Sequence, residues 1–131
     1  MSDRALQPRL LKPGGFDYES GYHAALRALA ADALPHAIVG ANDEVAIWVL
    51  VGLRQAGVAV PDRVSVAGID DTRPARFLEL TTMRVPLYEL GALGARVLFG
   101  DDEDTLAGER ASAVLAHQLM PRATTAARRA P

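Results

Sequence analysis

The amino-acid order predicts an α/β fold of three layers, with a mainly parallel sheet between helices. Short apolar runs alternate with segments of helical periodicity in the order βαβαβα, and such crossovers are right-handed and build a parallel sheet covered by helices. Ala37-Ile38-Val39-Gly40-Ala41 is wholly apolar, the pattern of a strand buried on both faces of such a sheet. Val64-Ser65-Val66-Ala67-Gly68-Ile69 is β-branched and apolar, then stops abruptly at Asp70-Asp71. Ligands of open α/β sheets gather beyond the carboxyl ends of strands, so this run delivers a carboxylate to a binding cleft.

Each element has its own signal. Leu6 to Gly15 holds Pro8, Pro13 and Gly14-Gly15, punctuation too dense for a regular element, and predicts an irregular lead-in over 1–15 with one short strand at Arg9-Leu11. From Tyr18 to Ala31, Tyr22, Ala25, Leu26, Leu29 and Ala30 recur at helical spacing behind Asp17, a capping residue. After the apolar strand, Asn42-Asp43-Glu44 supplies a cap and an acidic first turn to a helix that runs through Val45, Ile47, Leu50 and Leu53 and stops at Gly57. The strand Val64 to Ile69 leads to a short helix around Pro74 to Phe77 and a strand from Leu80 to Val85. Pro86 then opens a helix through Leu90, Leu93, Val97 and Leu98. Asp101-Asp102-Glu103-Asp104 reads as a solvated loop and not a metal site, since no second ligand cluster is spaced to meet it. Val114 to Met120 offers an edge strand, and 126–131 is expected to be a disordered tail.

Composition narrows the function classes. Half of the 131 residues are hydrophobic and 23% are charged, enough to build the core of one globular domain and too little chain for two. A net charge of -2 and no basic block give no sequence-independent attraction to nucleic acid. No cysteine is present, so there is neither a disulfide framework nor a thiolate metal site. Met1-Ser2-Asp3-Arg4 lacks the apolar core of a signal peptide, and no apolar run reaches the roughly 18 residues of a membrane span, so a cytoplasmic location without a membrane partner is expected. His23, His36 and His117 fall in no catalytic spacing, and Gly14-Gly15 opens no phosphate loop. A phosphoacceptor receiver domain needs a late-strand lysine, whereas the only lysine is Lys12. No catalytic residue, cofactor or metal is expected.

Recognition chemistry remains. A carboxylate accepts two hydrogen bonds at once, so Asp70 at a strand end suits the vicinal hydroxyls of a sugar or nucleoside. Asn42 offers both donor and acceptor at the end of the preceding strand, and Phe16 offers a flat apolar wall. The alternatives are structural: Asn42 and Asp43 as caps of one helix, Asp70 and Asp71 as caps of the next, and Phe16 as a hydrophobic staple. The helix after Asn42 is apolar nearly all round, and Trp48, Val49 and Val51 exceed what one sheet contact needs. Self-association as a homodimer through Ile47, Trp48 and Val51, with Phe77 beside them, is one outlet; cover by a neighbouring helix or another domain is the other.

Several spaced motifs resemble the lactose-repressor (LacI/GalR) family of transcription regulators. They are Ala41-Asn42-Asp43 followed by Ala46, Leu53-Arg54 with Gly57, Val60-Pro61-Asp62, Val64 through Asp71, and Leu80-Thr81-Thr82. The closing Arg122-Ala123-Thr124-Thr125 is similar to that family's Arg-x-Ser/Thr-Thr ending. The resemblance covers about Gly15 to Thr125. It implies that 1–125 is the carboxyl-terminal lobe of a sugar-binding core similar to periplasmic binding proteins. No helix-turn-helix is present, so DNA would be reached only through a missing amino-terminal domain. It also implies effector contacts at Asp70, Asn42 and Phe16, and a pocket position at Val85 that is polar in some members. Under this resemblance the chain senses a sugar-like effector and dimerises within a regulator, here truncated. The alternatives are a lobe of a periplasmic sugar-binding transporter component and a dimerisation remnant that binds nothing. A lone lobe is expected to bind sugars weakly, because half the pocket is absent.

Overall fold

The computed structural model of the chain describes residues 18–99 and 114–127. Eight elements follow in order: α1 (Tyr18–Ala30), β1 (Ala37–Val39), α2 (Asp43–Gln55), β2 (Ser65–Asp70), α3 (Arg73–Phe77), β3 (Thr81–Arg84), α4 (Leu87–Phe99) and β4 (Gln118–Met120). The strands form one open sheet in the order β1-β2-β3-β4. The first three are parallel, with Ile38 opposite Val66 and Gly68 opposite Thr82, and β4 closes the far edge antiparallel, with Met83 opposite Leu119. This is the mainly parallel α/β arrangement that the alternation of elements predicts. The parallel strands succeed one another without reversal, so no topological switch point falls among the described strands.

The core gathers Ile38, Val64, Val66 and Leu80 from the sheet and its approaches, together with Ala25 of α1 and Ala46, Val49 and Leu53 of α2. Asn42 caps α2 by accepting a hydrogen bond from the Val45 N–H at 2.8 Å. Gly57, at φ 74°, supplies the left-handed turn that ends the same helix. α1 packs along α2, and Trp48 meets Tyr18 and Tyr22 edge to face with ring centroids 5.8 and 6.3 Å away. Of the extra apolar surface of α2, Trp48 is thus packed against the neighbouring helix, while Val51 stays half-buried.

Two expectations change. β1 is three residues long and stands at the edge of the sheet among the described strands, where only Ile38 is buried and Val39 is 70% exposed, against the forecast of burial on both faces. α4 has no fully buried residue and leaves Tyr88 and Phe99 more than four-fifths exposed, although its sequence is more apolar than that of α2. At the described C-terminal end, the Ala126 N–H donates to Ser65 Oγ. The proposed strand at Arg9-Leu11, the cap at Asp17, the acidic loop at 101–104 and the end of the tail lie outside the described residues.

Candidate functional site

At the carboxyl ends of the three parallel strands stand Asn42 just after β1, Asp70 as the last residue of β2, and Val85 just after β3. All three are half-buried. Phe16 lies outside the described residues.

The backbone at the rim is unusual. Asp70 and the next residue, Asp71, have φ values of 119° and 58°, in a region that costs a non-glycine residue of order 1–3 kcal/mol and persists only when neighbours hold it. Asp43 is one holder. Its side chain is fully buried, one carboxylate oxygen accepting from the Thr82 hydroxyl at 2.5 Å and the other from the Thr72 N–H at 2.7 Å. The Thr82 hydroxyl in turn accepts from the Asp71 N–H at 3.3 Å. β2 must carry Gly68 beneath this carboxylate, because a Cβ there would collide with Asp43. Asp43 therefore ties the start of α2 to the loop after β2 and to β3, a role beyond the capping that its position suggests. The cap of α3 is Thr72, accepting from the Ala75 N–H, and neither Asp70 nor Asp71.

Asp71 is the second holder. Its side chain is 1% exposed and takes three arginines: Arg84 at 2.7 Å, Arg76 at 3.1 Å, and Arg122 in the tightest contact. Burial alone would raise its pKa, but hydrogen bonds from Arg122, Arg84 and Arg76 outweigh that and hold the carboxyl at about 2. Arg122 also donates to the Leu80 carbonyl at 2.7 Å. Thr124 donates to the Val66 carbonyl and accepts from the Thr81 N–H, and Thr125 meets the Thr81 hydroxyl at 2.8 Å. The closing Arg122-Ala123-Thr124-Thr125 is thus a clasp that binds the chain end to β2 and β3.

Asp70 differs from both. It forms no ion pair among the described residues, and its pKa is raised, first by burial and next by the Asp43 charge, with partial relief from the Asp43 backbone N–H. Incoming hydroxyl donors would stabilise its charged form, which makes it a receptive acceptor. Sequence reasoning located the rim and missed the arginines; Arg76, Arg84 and Arg122, at scattered spacings, carry no motif that reveals their convergence on one carboxylate.

Of the expected dimer contacts, Ile47 packs against the core and Trp48 against α1, whereas Val51 stays half-buried and Phe77 is 76% exposed beneath the Arg73 guanidinium. A surface hollow of about 410 Å³ lies between α1 and α2, lined by Tyr18, Glu19, Tyr22, His23 and Trp48, away from Asp70. It abuts the first described residue, and nothing in its lining converges as the rim does.

Residues 3–125 match the family model described as a periplasmic binding protein-like domain. The chain is 34% identical over 87 residues to catabolite control protein A of Priestia megaterium, an alignment covering 65% of this chain and 26% of that protein. It is similar in structure to a LacI-type transcription regulator from Bifidobacterium animalis, with a TM-score of 0.73 and 27% identity over 88% of this chain and 42% of that one. A LacI family transcriptional regulator from Enterococcus faecium with bound ribose gives a TM-score of 0.71 and 27% identity, over 89% and 43% of the two chains. The chain spans about a quarter of the length of the curated relative and under half that of the solved structures. Among the described residues no helix is long and apolar enough to cross a membrane.

Proposed function

The chain belongs to the LacI/GalR family of transcriptional regulators, through the periplasmic binding protein-like domain of that family, and on that premise we propose that it is a lobe of the effector-sensing core of a cytoplasmic regulator. Its ligand is a hydroxyl-bearing small molecule, a sugar or nucleoside, received at Asp70 with Asn42 and Val85 beside it. The observation that carries this is the state of Asp70. It closes β2 in a costly backbone conformation, stays half-open, and alone of the three clustered acids spends its carboxylate on no hydrogen bond to a side chain among the described residues. The ribose held by the Enterococcus faecium relative is the kind of ligand such a group suits.

The activity is recognition without catalysis. Regulation requires that the ligand favour one of two conformations of the whole protein, and DNA contact belongs to a reading head these residues do not supply. Pairing of two copies is assigned to the apolar surface left at Phe77 and Val51, with the half-buried Trp48 beside it and Ile47 contributing little.

Titrating the isotope-labelled chain with ribose to about tens of millimolar, a range set by a single-lobed site without preorganisation, should shift the backbone amides of Asn42, Asp70 and Val85. Asp70→Ala should abolish those shifts. Shifts confined to Tyr18, Tyr22 and Trp48, or none at the rim with any of a panel of sugars and nucleosides, would overturn the assignment.

A further inference from the structure

We propose that Arg76 and Arg84 form an anion-binding subsite on the same rim, so that the ligand carries an oxyanion, phosphate or carboxylate, beside the hydroxyls received at Asp70. The proposal rests on that reading of Asp70 and adds the ligand's charge to it.

The charge count is its starting point. Three guanidiniums meet one carboxylate, leaving a surplus of two positive charges, and no other acid is ion-paired to any of them among the described residues. Arg122 is consumed by structure: its side chain is 13% exposed, and its two terminal nitrogens go to Asp71 and the Leu80 carbonyl. Arg76 and Arg84 are different. Their side chains are 58% and 39% exposed, and both contact the same Asp71 oxygen, Oδ2, so their heads converge on one point. Arg84 reaches Asp71 through Nε, and its Nη1 makes only a long 3.4 Å contact with the Gln118 amide oxygen. Arg76 uses Nη2 alone, for the Asp71 carboxylate and carbonyl. The remaining N–H groups of both have no hydrogen-bond partner among the described residues.

Planar guanidinium forks bind oxyanions through paired N–H donors, and two forks already held over a buried carboxylate lose little freedom on binding. Convergence on a point suits a compact group such as a phosphate monoester, whose charge of about -1.5 to -2 matches the surplus. Position ties this subsite to the first. Arg84 is the register partner of Asp70 on the neighbouring strand, within the span of one sugar.

The test uses the labelled chain with inorganic phosphate, ribose, ribose 5-phosphate and ribonate, reading the arginine Nε–Hε signals and the Asp70 amide. Phosphate should shift Arg76 and Arg84 and leave Arg27, Arg54 and Arg63 unmoved, and one or both of the anionic sugars should bind at least tenfold tighter than ribose, the better of them identifying the oxyanion. R84Q should erase that ratio while ribose still shifts Asp70; R76Q, at the more exposed arginine, gives the same answer if R84Q fails to fold. Equal shifts at all five arginines, or an anionic preference that survives in both variants, would overturn the subsite and leave the Asp70 reading standing. Phosphate shifts at Arg76 and Arg84 without any sugar effect at Asp70 would keep the anion site and remove the hydroxyl reading.

Discussion

The layer just beneath the sheet rim and the rim itself hold the same chemistry in opposite states. Beneath, Asp43 and Asp71 are buried and fully committed, one to two hydrogen-bond donors and the other to three arginines. On the rim, Asp70 adjoins Asp71 in sequence, yet it is half-open and has no cationic partner among the described residues. One residue of chain separates a carboxylate used to build from one left to receive. Both positions carry a positive φ, a backbone conformation that their surroundings must hold. The committed layer pins that backbone, so the exposed acid is presented by a rigid support, as a binding group must be to avoid an ordering cost.

The largest expected effect tests the supporting layer. Asp71→Ala leaves Arg122 nearly buried without its counter-charge, and breaking a buried pair from one side costs about 3–5 kcal/mol. Urea unfolding should show a correspondingly lower midpoint. A loss below about 1 kcal/mol would mean the arginines find water as readily as Asp71, and the contrast between the two layers would disappear.

Acid sharpens the contrast by about 2 kcal/mol. Asp71 has a folded pKa of about 2 against the 3.8 of an ordinary aspartate, so its contribution is fully present above pH 4 and is lost as pH falls through 2. Asp70 runs the other way: its raised folded pKa means that protonation on acidification favours the fold. Urea midpoints measured from pH 7 to 2.5 should fall below pH 4 in the native chain and stay flatter in Asp71→Asn. An equal fall in both would assign the acid sensitivity elsewhere.

Much of the fold was legible because its signals are local. The cap at Asn42, the stop at Gly57 and the alternation of apolar runs place β1, α2 and β2 to within two residues. The rim was legible too, since Gly68-Ile69-Asp70-Asp71 marks a strand that ends in acid. What could not be read is which helix would lack cover. α2 and α4 are both 13 residues long and apolar, yet α2 is enclosed by α1 and the sheet while α4 buries nothing fully, an outcome fixed by long-range packing and not by composition. The division of labour between Asp70 and Asp71 was equally hidden, because it depends on Arg76, Arg84 and Arg122, the last of them 51 residues away.

The smallest effect decides whether the rim acid is spared structural duty. Asp70→Asn keeps the shape and removes a charge that burial and Asp43 both disfavour, so unfolding at pH 7 should cost no more than the native chain's value within about 0.5 kcal/mol, the range of substitutions away from structural features. Any gain should vanish at low pH, where the native Asp70 is itself protonated. Binding should respond oppositely, because an amide presents one acceptor oxygen where the carboxylate presents two, so the ribose-induced shifts should weaken while the urea midpoint holds. A stability loss comparable to that of Asp71→Ala would make Asp70 a third structural acid. The sheet rim would then be support throughout, with no carboxylate left to receive a ligand.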